Sequence, residues 1–262
     1  MNLGLNDKVI VVSGGARGIG EGIVRVLAAE GAIPVIIGRS IEDNERLTNE
    51  LIANGSKAFA VQAELGVPEE CERAMREVTQ KFDSIHGLVN NAGVNDGVNL
   101  EHGNHQRFLE SIHNNLLHYY LLAHYALPYL KQTKGAIVNI GSKTAETGQG
   151  ATSAYAAANG GRNALTREWA VELLKYGMRV NSVIVAECMT PLYERWLNAQ
   201  SNPQEKLKEI TGKIPLENRM TTAEEIANMT VFLLSERSSH TTGQLIHVDG
   251  GYVHLDRALA NA

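Results

Sequence analysis

A glycine-rich segment near the start of the chain has the composition of a phosphate-binding turn. The segment SGGARGIG, residues 13–20, follows a short apolar run and precedes a stretch with helical periodicity. Gly14, Gly18 and Gly20 lack a Cβ and tolerate positive φ, so the backbone there can approach a pyrophosphate closely. The N-terminus of the following helix would present free amides and the positive end of its dipole to the phosphates. The spacing predicts a dinucleotide site, and a purely structural glycine turn is the alternative.

Two arginines favour NADP as the dinucleotide. An acidic residue at the end of the second strand would bind the adenosine ribose 2′-hydroxyl of NAD, whereas an arginine would accept the 2′-phosphate of NADP. The chain has Gly38, Arg39 and Ser40 at this point, and Arg17 inside the glycine loop adds a second cation. Two guanidinium groups can converge on one phosphate. NADP is therefore the predicted cofactor and NAD the alternative, unless both arginines are solvated surface groups.

The elements that must position these residues alternate between strands and helices. Apolar runs predict strands, and the stretches between them have helical periodicity. The predicted strands are Lys8–Ser13, Ile33–Gly38, Lys57–Gln62, Gly87–Gly93, Gly135–Ser142, Met178–Val185 and Gly243–Gly251. The predicted helices are Ile19–Glu30, Glu42–Ala53, one that begins at Pro68, about Gln106–Leu130, Ser153–Tyr176 and Ala223–Leu234.

Strands that are apolar throughout predict a parallel sheet that is covered on both faces. The expected fold class is α/β, with residues 1–262 forming one doubly wound, Rossmann-like domain of about seven parallel strands with helices on both faces. A helical insertion at about 190–212 is expected on the substrate side.

Composition and charge disfavour several classes of protein. The 262 residues are 44% hydrophobic and 20% charged, which is typical of a globular domain. A net charge of −5 gives no electrostatic footprint for nucleic acid or an anionic membrane. No apolar run reaches the ~18 residues of a membrane span. Cys71 and Cys188 are far apart and the nine histidines are scattered, so we expect no disulfide framework, no metal site and a reduced, cytoplasmic setting.

Several motifs resemble those of the short-chain dehydrogenase/reductase family. They are SGGARGIG, NNAG at residues 90–93, a serine at the end of the fifth strand, a tyrosine thirteen residues later, and VDGG at residues 248–251. The likeness covers nearly the whole chain and implies hydride transfer between a nicotinamide cofactor and a substrate. The stretches NNAGVNDG, SKTAETGQG, LTREWAVEL, AECMTPLY and HTTGQLIHVDGGYVHLDRAL further resemble bacterial L-fucose dehydrogenases and related sugar dehydrogenases.

The resemblance implies that Asn115, Ser142 and Tyr155 are catalytic. Oxidation of a hydroxyl needs a base, and a tyrosinate can be that base when a phenol pKa falls from its ordinary value of about 10 toward neutrality. Ser142 would hold the substrate oxygen against Tyr155, and Asn115 would hold a water in a proton relay. Taken alone, a core tyrosine and a strand-end serine are the alternatives. The cofactor contacts implied are Gly14, Arg17, Gly18, Ile19, Gly20, Arg39, Asn91, Ala92, Gly93, Tyr155, Asn159 and Thr190.

The fourth catalytic position departs from the family pattern, because Asn159 stands where the family has a lysine. That lysine binds the nicotinamide ribose, which an amide can also do, and its charge stabilises the tyrosinate, which an amide cannot do. We therefore expect poor turnover at neutral pH. Arg162, Lys143 and the charged nicotinamide ring are candidate replacements for the missing cation. Arg162 is preferred among them, and a surface or intersubunit salt bridge is its alternative.

Polar residues that follow the strands are candidate sugar ligands. Glu187 stands beside Ala186 where the family usually has Pro-Gly, and a carboxylate can accept two hydroxyl bonds from a polyol; a solvated loop carboxylate is the alternative. The predicted substrate contacts are Ser142, Lys143, Gln149 and Glu187.

The expected reaction is oxidation of L-fucose or a similar aldose at C1 to the lactone. A catalytically weakened or silent cofactor- or sugar-binding member and a ketone or 3-oxoacyl reductase are the alternatives. The resemblance also implies a homotetramer or homodimer built on the helices near residues 106–130 and 153–176, with the tail HLDRALANA, residues 254–262, reaching a neighbouring subunit.

Overall fold

The centre of the protein is a parallel sheet, which the computed structural model describes together with the rest of residues 1–256. Its strands are β1 (Val9–Ser13), β2 (Ile33–Gly38), β3 (Phe59–Gln62), β4 (Gly87–Asn90), β5 (Ala136–Ser142), β6 (Arg179–Val185) and β7 (Leu245–Val248). They lie in the order β3-β2-β1-β4-β5-β6-β7, and every neighbouring pair is parallel. The strand order reverses at β1 and β4, and ligands bind at such a crevice outside the carboxyl ends of the strands. The predicted fold class is confirmed.

Helices cover both faces of the sheet. They are α1 (Gly18–Ala29), α2 (Ile41–Ala53), α3 (Pro68–Lys81), α4 (His105–Ile112), α5 (His118–Thr133), α6 (Ser153–Leu173), α7 (Pro191–Asn198), α8 (Pro203–Thr211) and α9 (Ala223–Leu234). Successive strand residues point to opposite faces. Accordingly Val12 packs in an apolar cluster with Ile23 of α1, whereas Val11 packs in a second cluster with Leu122 of α5 and Trp169 of α6. The described residues therefore form one domain with two apolar layers.

The long helix predicted at about Gln106–Leu130 is interrupted. A π-helical turn, His113–Leu117, separates α4 from α5. Asn115 lies in this turn, where its amide nitrogen donates to the Ser111 carbonyl at 3.0 Å. Such turns insert one residue into an otherwise regular helix and are frequent at functional sites. Hydrophobic periodicity does not reveal the insertion, because the turn keeps the helical sequence character on both sides.

Two other regions refine the sequence prediction. The last strand is Leu245–Val248, so the glycines at both ends of the predicted segment 243–251 belong to turns. Helices α7 and α8 occupy most of the region expected as an insertion at 190–212. Among the described residues, no helix is both long and apolar enough to cross a membrane. The predicted subunit contact of the tail falls mainly on residues 257–262, which lie outside the described part.

Candidate active site

A cleft of about 680 Å³ opens at the carboxyl ends of the strands. Ligand pockets typically have volumes of about 300–1,000 Å³. Of the predicted cofactor residues, those that line the cleft are Gly14, Arg17, Gly18, Ile19, Gly20, Arg39, Asn91, Ala92, Gly93, Tyr155 and Thr190. Of the predicted substrate residues, Ser142 lines it directly. The structure thus brings the glycine loop, the NNAG segment and the reactive tyrosine into one cleft.

The glycine loop is shaped so that its backbone faces this cleft. Gly14 and Gly18 adopt positive φ values of 63° and 58°. A Cβ at Gly20 would lie 2.1 Å from the Gly14 carbonyl oxygen, a contact that only glycine avoids. The Asn91 amide holds the loop by donating to the Ser13 and Gly14 carbonyls at 3.0 and 3.2 Å. Because α1 begins at Gly18, its unpaired amides point into the cleft, as a pyrophosphate requires.

The two arginines predicted at the adenosine end differ in their surroundings. Arg17 forms an ion pair with Asp43, at 2.7 Å. The side chain of Arg39 is 82% exposed, and its nearest carboxylate, on Glu64, is 4.0 Å away. Arg39 is therefore available to a ligand, whereas Arg17 is already engaged. The sequence reasoning missed Asp43, because it sought an acid at the end of β2 and this one lies on the first turn of α2.

Ser142 and Tyr155 both lie on the cleft wall. Ser142 is the last residue of β5, and its hydroxyl oxygen accepts a hydrogen bond from the Thr144 hydroxyl at 3.0 Å. Tyr155 is half-buried in the first turn of α6. Asn115 lies behind the wall and is fully buried, and its side-chain oxygen accepts from the Val94 amide at 2.8 Å. Asn115 therefore fixes the loop after β4 instead of facing the cleft.

Asn159 does not reach the cleft wall. Its side chain is fully buried, and its amide nitrogen donates to the Tyr155 carbonyl at 2.9 Å, one turn earlier in α6. Its side-chain oxygen accepts from Nη1 of Arg162 at 3.0 Å. The predicted contact between Asn159 and the nicotinamide ribose would require the amide to give up these bonds. The structure places Asn159 as a link between Tyr155 and Arg162.

Arg162 lies at the centre of the site. It lines the cleft although only 3% of it is exposed, and Nε donates to the Asn115 carbonyl at 2.7 Å. Nη1 also donates to the Ile140 carbonyl at 3.2 Å, and the guanidinium carbon lies 4.2 Å from the centre of the Tyr119 ring. The alternative prediction of a surface or intersubunit salt bridge for Arg162 is wrong, because the side chain is buried among neutral groups.

The buried guanidinium affects its neighbours on α5. Burial, together with the charge of Arg162, lowers the pKa of His118 to about 3. His118 contacts the Asn114 carbonyl through Nε2 at 3.1 Å, which places the proton of the neutral ring on that nitrogen because a carbonyl can only accept. Burial raises the pKa of Tyr119, whose hydroxyl donates to the Ile140 carbonyl at 3.0 Å. Both side chains are therefore uncharged at neutral pH. His118 also lines the cleft, which sequence reasoning did not show.

Lys143 and Glu187 form an ion pair beside Ser142. Their side chains are only 6% and 12% exposed, and the ammonium lies 4.0 Å from the centre of the Tyr252 ring. Burial, together with the Glu187 carboxylate, raises the pKa of Tyr193, so that its hydroxyl stays a donor. The structure brings Lys143 and Glu187 together beside Ser142 but behind the cleft wall, and it leaves Gln149 on an exposed loop away from that wall. Sequence reasoning missed both tyrosines because they are distant from the SKTAETGQG motif.

The described residues also contain a group of side chains that could hold a metal ion. Glu146, His247 and His254 have donor atoms within 4.8 Å of one another, outside the active-site cleft. The Glu146 carboxylate already contacts His247 at 3.0 Å and Asn163 at 3.3 Å, and Arg167 lines the same hollow. A cation there would compete with these partners and face a guanidinium. The sequence prediction of no metal site stays a prediction.

Comparisons with known proteins agree with this geometry. A family model described as enoyl-(acyl carrier protein) reductase matches residues 14–253. The L-fucose dehydrogenase of Rattus norvegicus is 32% identical over 247 residues, which cover 94% of this chain and 89% of that protein. The 3-oxoacyl-(acyl-carrier-protein) reductase FabG of Thermotoga maritima is 31% identical over 250 residues, which cover 95% of this chain and 99% of that protein.

Solved structures show the same relationship. The crystal structure of Cj0485 dehydrogenase superposes with a TM-score of 0.94 at 47% sequence identity, covering 99% of both chains. The aldohexose dehydrogenase AldT of Thermoplasma acidophilum superposes with a TM-score of 0.87 at 27% identity, covering 98% of both chains. The fold and the cleft define a nicotinamide-dependent oxidoreductase that acts on alcohol or ketone groups. The chain belongs to the short-chain dehydrogenase/reductase family and has L-fucose dehydrogenases among its relatives.

Proposed function

We propose that this protein is an NADP-linked dehydrogenase that oxidises L-fucose or a similar aldose at C1, giving the lactone. The observation that carries the proposal is the buried ion pair of Lys143 and Glu187, which adjoins Ser142 and is flanked by Tyr193 and Tyr252. An ammonium and a carboxylate held side by side offer donors and acceptors to neighbouring hydroxyl groups of a sugar. An apolar acyl chain would leave these buried charges without new partners, which is costly.

In this mechanism, Ser142 donates a hydrogen bond to the reacting sugar oxygen and holds it against Tyr155. Tyr155, as the tyrosinate, takes the proton of the C1 hydroxyl while the C1 hydride leaves, so that the C1 carbonyl of the lactone forms. A nicotinamide cofactor bound in the cleft would supply the acceptor for that hydride. The glycine loop fits such a cofactor, because Gly14 and Gly18 adopt positive φ and α1 begins at Gly18, which leaves unpaired amides for a pyrophosphate. Asn115 supports the site by holding the Val94 amide.

The preference for NADP rests on the adenosine end of the cleft. Arg39 is exposed on the cleft wall. Its described ion pair is with the Glu64 carboxylate, which is 4.0 Å away. Its guanidinium can therefore turn to a 2′-phosphate. Arg17 can join it by exchanging its bond to Asp43 for one to the phosphate. NAD is the alternative cofactor, since Asp43 can accept a bond from a 2′-hydroxyl.

Two alternatives have support of their own. The 31% identity to the Thermotoga maritima reductase favours reduction of a 3-oxoacyl or other ketone substrate. The position of Asn159, buried below the cleft wall, favours a weakened or silent member that binds a cofactor or a sugar.

A substrate panel separates these functions. Initial rates are measured with L-fucose, other aldoses and a 3-oxoacyl thioester, each with both cofactors. We expect L-fucose with NADP to be used best, and Lys143→Gln to raise the KM for the sugar ten- to a hundredfold, the value of a hydrogen bond to a charged group, while the KM for NADP is unchanged. Lys208→Gln, on the exposed surface of α8, is the control. Faster turnover of the thioester, or an unchanged sugar KM in Lys143→Gln, would contradict the proposal.

We further propose a homotetramer or homodimer in the cytoplasm. Large apolar side chains are exposed on α5 and α6, among them Tyr120 at 49% and Val171 at 67% exposure. Such exposure is typical of interaction surfaces when it is contiguous. Cys71 and Cys188 are buried and unpaired, which suits a reducing compartment. A monomer in sedimentation velocity would contradict the assembly, and recovery in a membrane or extracellular fraction would contradict the location.

A further inference from the structure

We propose that Arg162 is the fixed positive charge of this active site and supplies, from one turn further along α6, the charge that a lysine at position 159 supplies in the family. The inference deepens the proposed function, because it concerns how Tyr155 becomes the base. Arg162 would be a positioning and electrostatic residue that acts on Tyr155 and holds Asn115.

The guanidinium of Arg162 lies beside the cleft. A Cβ at Gly93 would be 2.8 Å from Nη2 of Arg162, so the charge sits directly behind a glycine of the cleft wall. Asn159 joins the guanidinium to the helical turn of Tyr155, because it accepts from Nη1 and donates to the Tyr155 carbonyl. Arg162 itself lines the cleft. The charge is thus located beside the cleft, on the tyrosine side.

The hydrogen bonds of the guanidinium leave its positive charge unneutralised. Its acceptors in the described residues are the carbonyls of Asn115 and Ile140 and the amide oxygens of Asn115 and Asn159. These are uncharged groups. In a buried, low-dielectric setting an unneutralised charge acts strongly on its neighbours.

One titratable group of the cleft can change its charge under the influence of Arg162. The titratable side chains on which the charge of Arg162 acts directly are His118 and Tyr119 on α5, and Tyr155 of α6 lines the same cleft and is joined to Arg162 through Asn159. The strand β5 and the π-helical turn contribute carbonyls and the Asn115 amide. His118 is neutral, and Tyr119 keeps its proton in a bond to Ile140. Tyr155, half-buried on the cleft wall, is the site where a negative charge can form. The guanidinium therefore favours the tyrosinate.

The proton that Tyr155 takes from the substrate cannot leave through Arg162. Nε of Arg162 donates to the Asn115 carbonyl at 2.7 Å, so this carbonyl oxygen already has a partner. A guanidinium stays protonated at all pH values that a protein survives, so it cannot pass a proton as a lysine ammonium can. Arg162 thus supplies the positive charge that the family's lysine supplies, but it does not take part in proton transfer. A solvent-facing path from Tyr155 must carry the proton away.

Spectroscopic titration of Tyr155 tests the inference without any substrate. The tyrosinate absorption of each protein is followed against pH, and the same curve for its Tyr155→Phe derivative is subtracted. We expect Arg162→Gln to raise the midpoint by about 1–3 units, the usual effect of one neighbouring charge, and Arg162→Lys to stay within about one unit of the wild type. The double variant Asn159→Lys with Arg162→Gln restores the charge at the family position and should recover the midpoint.

Controls distinguish charge from packing. Arg167→Gln, on the exposed face of the same helix, should leave the midpoint unchanged. If Arg162→Gln does not fold, Arg162→Lys decides the matter, since a purely structural role predicts a defect in Arg162→Lys as large as that of Arg162→Gln. A folded Arg162→Gln protein with an unshifted midpoint would overturn the inference. Failure of the sugar panel with the titration as expected would overturn only the proposed substrate.

Discussion

Acidification should destabilise this protein through one buried histidine. His118 is 1% exposed, and burial together with the charge of Arg162 lowers its pKa from 6.5 to about 3. In the unfolded chain the same imidazole titrates near its ordinary value of about 6.5. Between these two values the unfolded state binds more protons than the folded state, so stability falls as the pH falls.

The expected magnitude follows from the two pKa values. At pH 8 neither state binds a proton at this site, and the contribution is close to zero. At pH 5 the unfolded imidazole is almost fully protonated while the folded one is not, which costs about 2 kcal/mol of unfolding free energy. The full difference corresponds to about 5 kcal/mol and is reached only near pH 3. The window that matters for His118 is therefore pH 3 to 6.5.

Urea unfolding at a single protein concentration, at pH 8 and at pH 5, measures this effect. His118→Gln keeps a donor for the Asn114 carbonyl but cannot titrate, so it should lose about 2 kcal/mol less than the wild type between the two pH values. His102→Gln is the matched control, because that imidazole is 76% exposed. An equal pH dependence in the wild type and in His118→Gln would refute the reasoning that His118 is held neutral.

Three further outcomes are expected from the geometry of the cleft and the core. Gly20→Ala should abolish NADP binding in a calorimetric titration, since its Cβ would lie 2.1 Å from the Gly14 carbonyl oxygen; retained binding would contradict this account of the loop. Arg39→Gln should raise the KM for NADP ten- to a hundredfold and leave that for NAD unchanged, and equal changes in both would contradict the assignment. Burial raises the pKa of Cys188 to about 12, so a thiol reagent at pH 8 should label it in urea but not in the native protein.

The fold could be predicted because its signals are local. Strand β1 was expected at Lys8–Ser13 and spans Val9–Ser13. A short apolar run that ends in glycines is typical of a buried strand in an α/β chain. Helix α6 begins at Ser153, as predicted. The π-helical turn at His113–Leu117 could not be predicted, because HNNLL has the composition of an ordinary helix. Its extra residue shows only in the hydrogen bonding.

The part of the candidate site that binds through backbone groups, the glycine loop, could be predicted from the sequence. The glycine loop depends on residues within eight positions of one another, and the loop residues predicted to bind the cofactor, Gly14, Arg17, Gly18, Ile19 and Gly20, line the cleft. The pairing of Lys143 with Glu187 joins residues 44 positions apart, and the ion pair of Arg17 with Asp43 depends on how α2 packs. Such contacts are set by tertiary packing, which one sequence does not reveal. For the same reason the sequence suggested Arg162 as a cation but could not show that it is buried.

The charge of Arg162 links two titrations that a packing change would separate. Removal of a positive charge makes protonation of His118 easier and ionisation of Tyr155 harder, so both titrations should move to higher pH in Arg162→Gln. Entry of water after a loss of packing has a different signature. Water would relieve the desolvation of both groups. This raises the pKa of a buried histidine and lowers the pKa of a tyrosine, because each charged form becomes better solvated. Movement of the two midpoints in the same direction, upward, would therefore identify the electrostatic effect. Movement in opposite directions, with His118 up and Tyr155 down, would show that Arg162 acts as a packing residue and that the tyrosine is activated by another group.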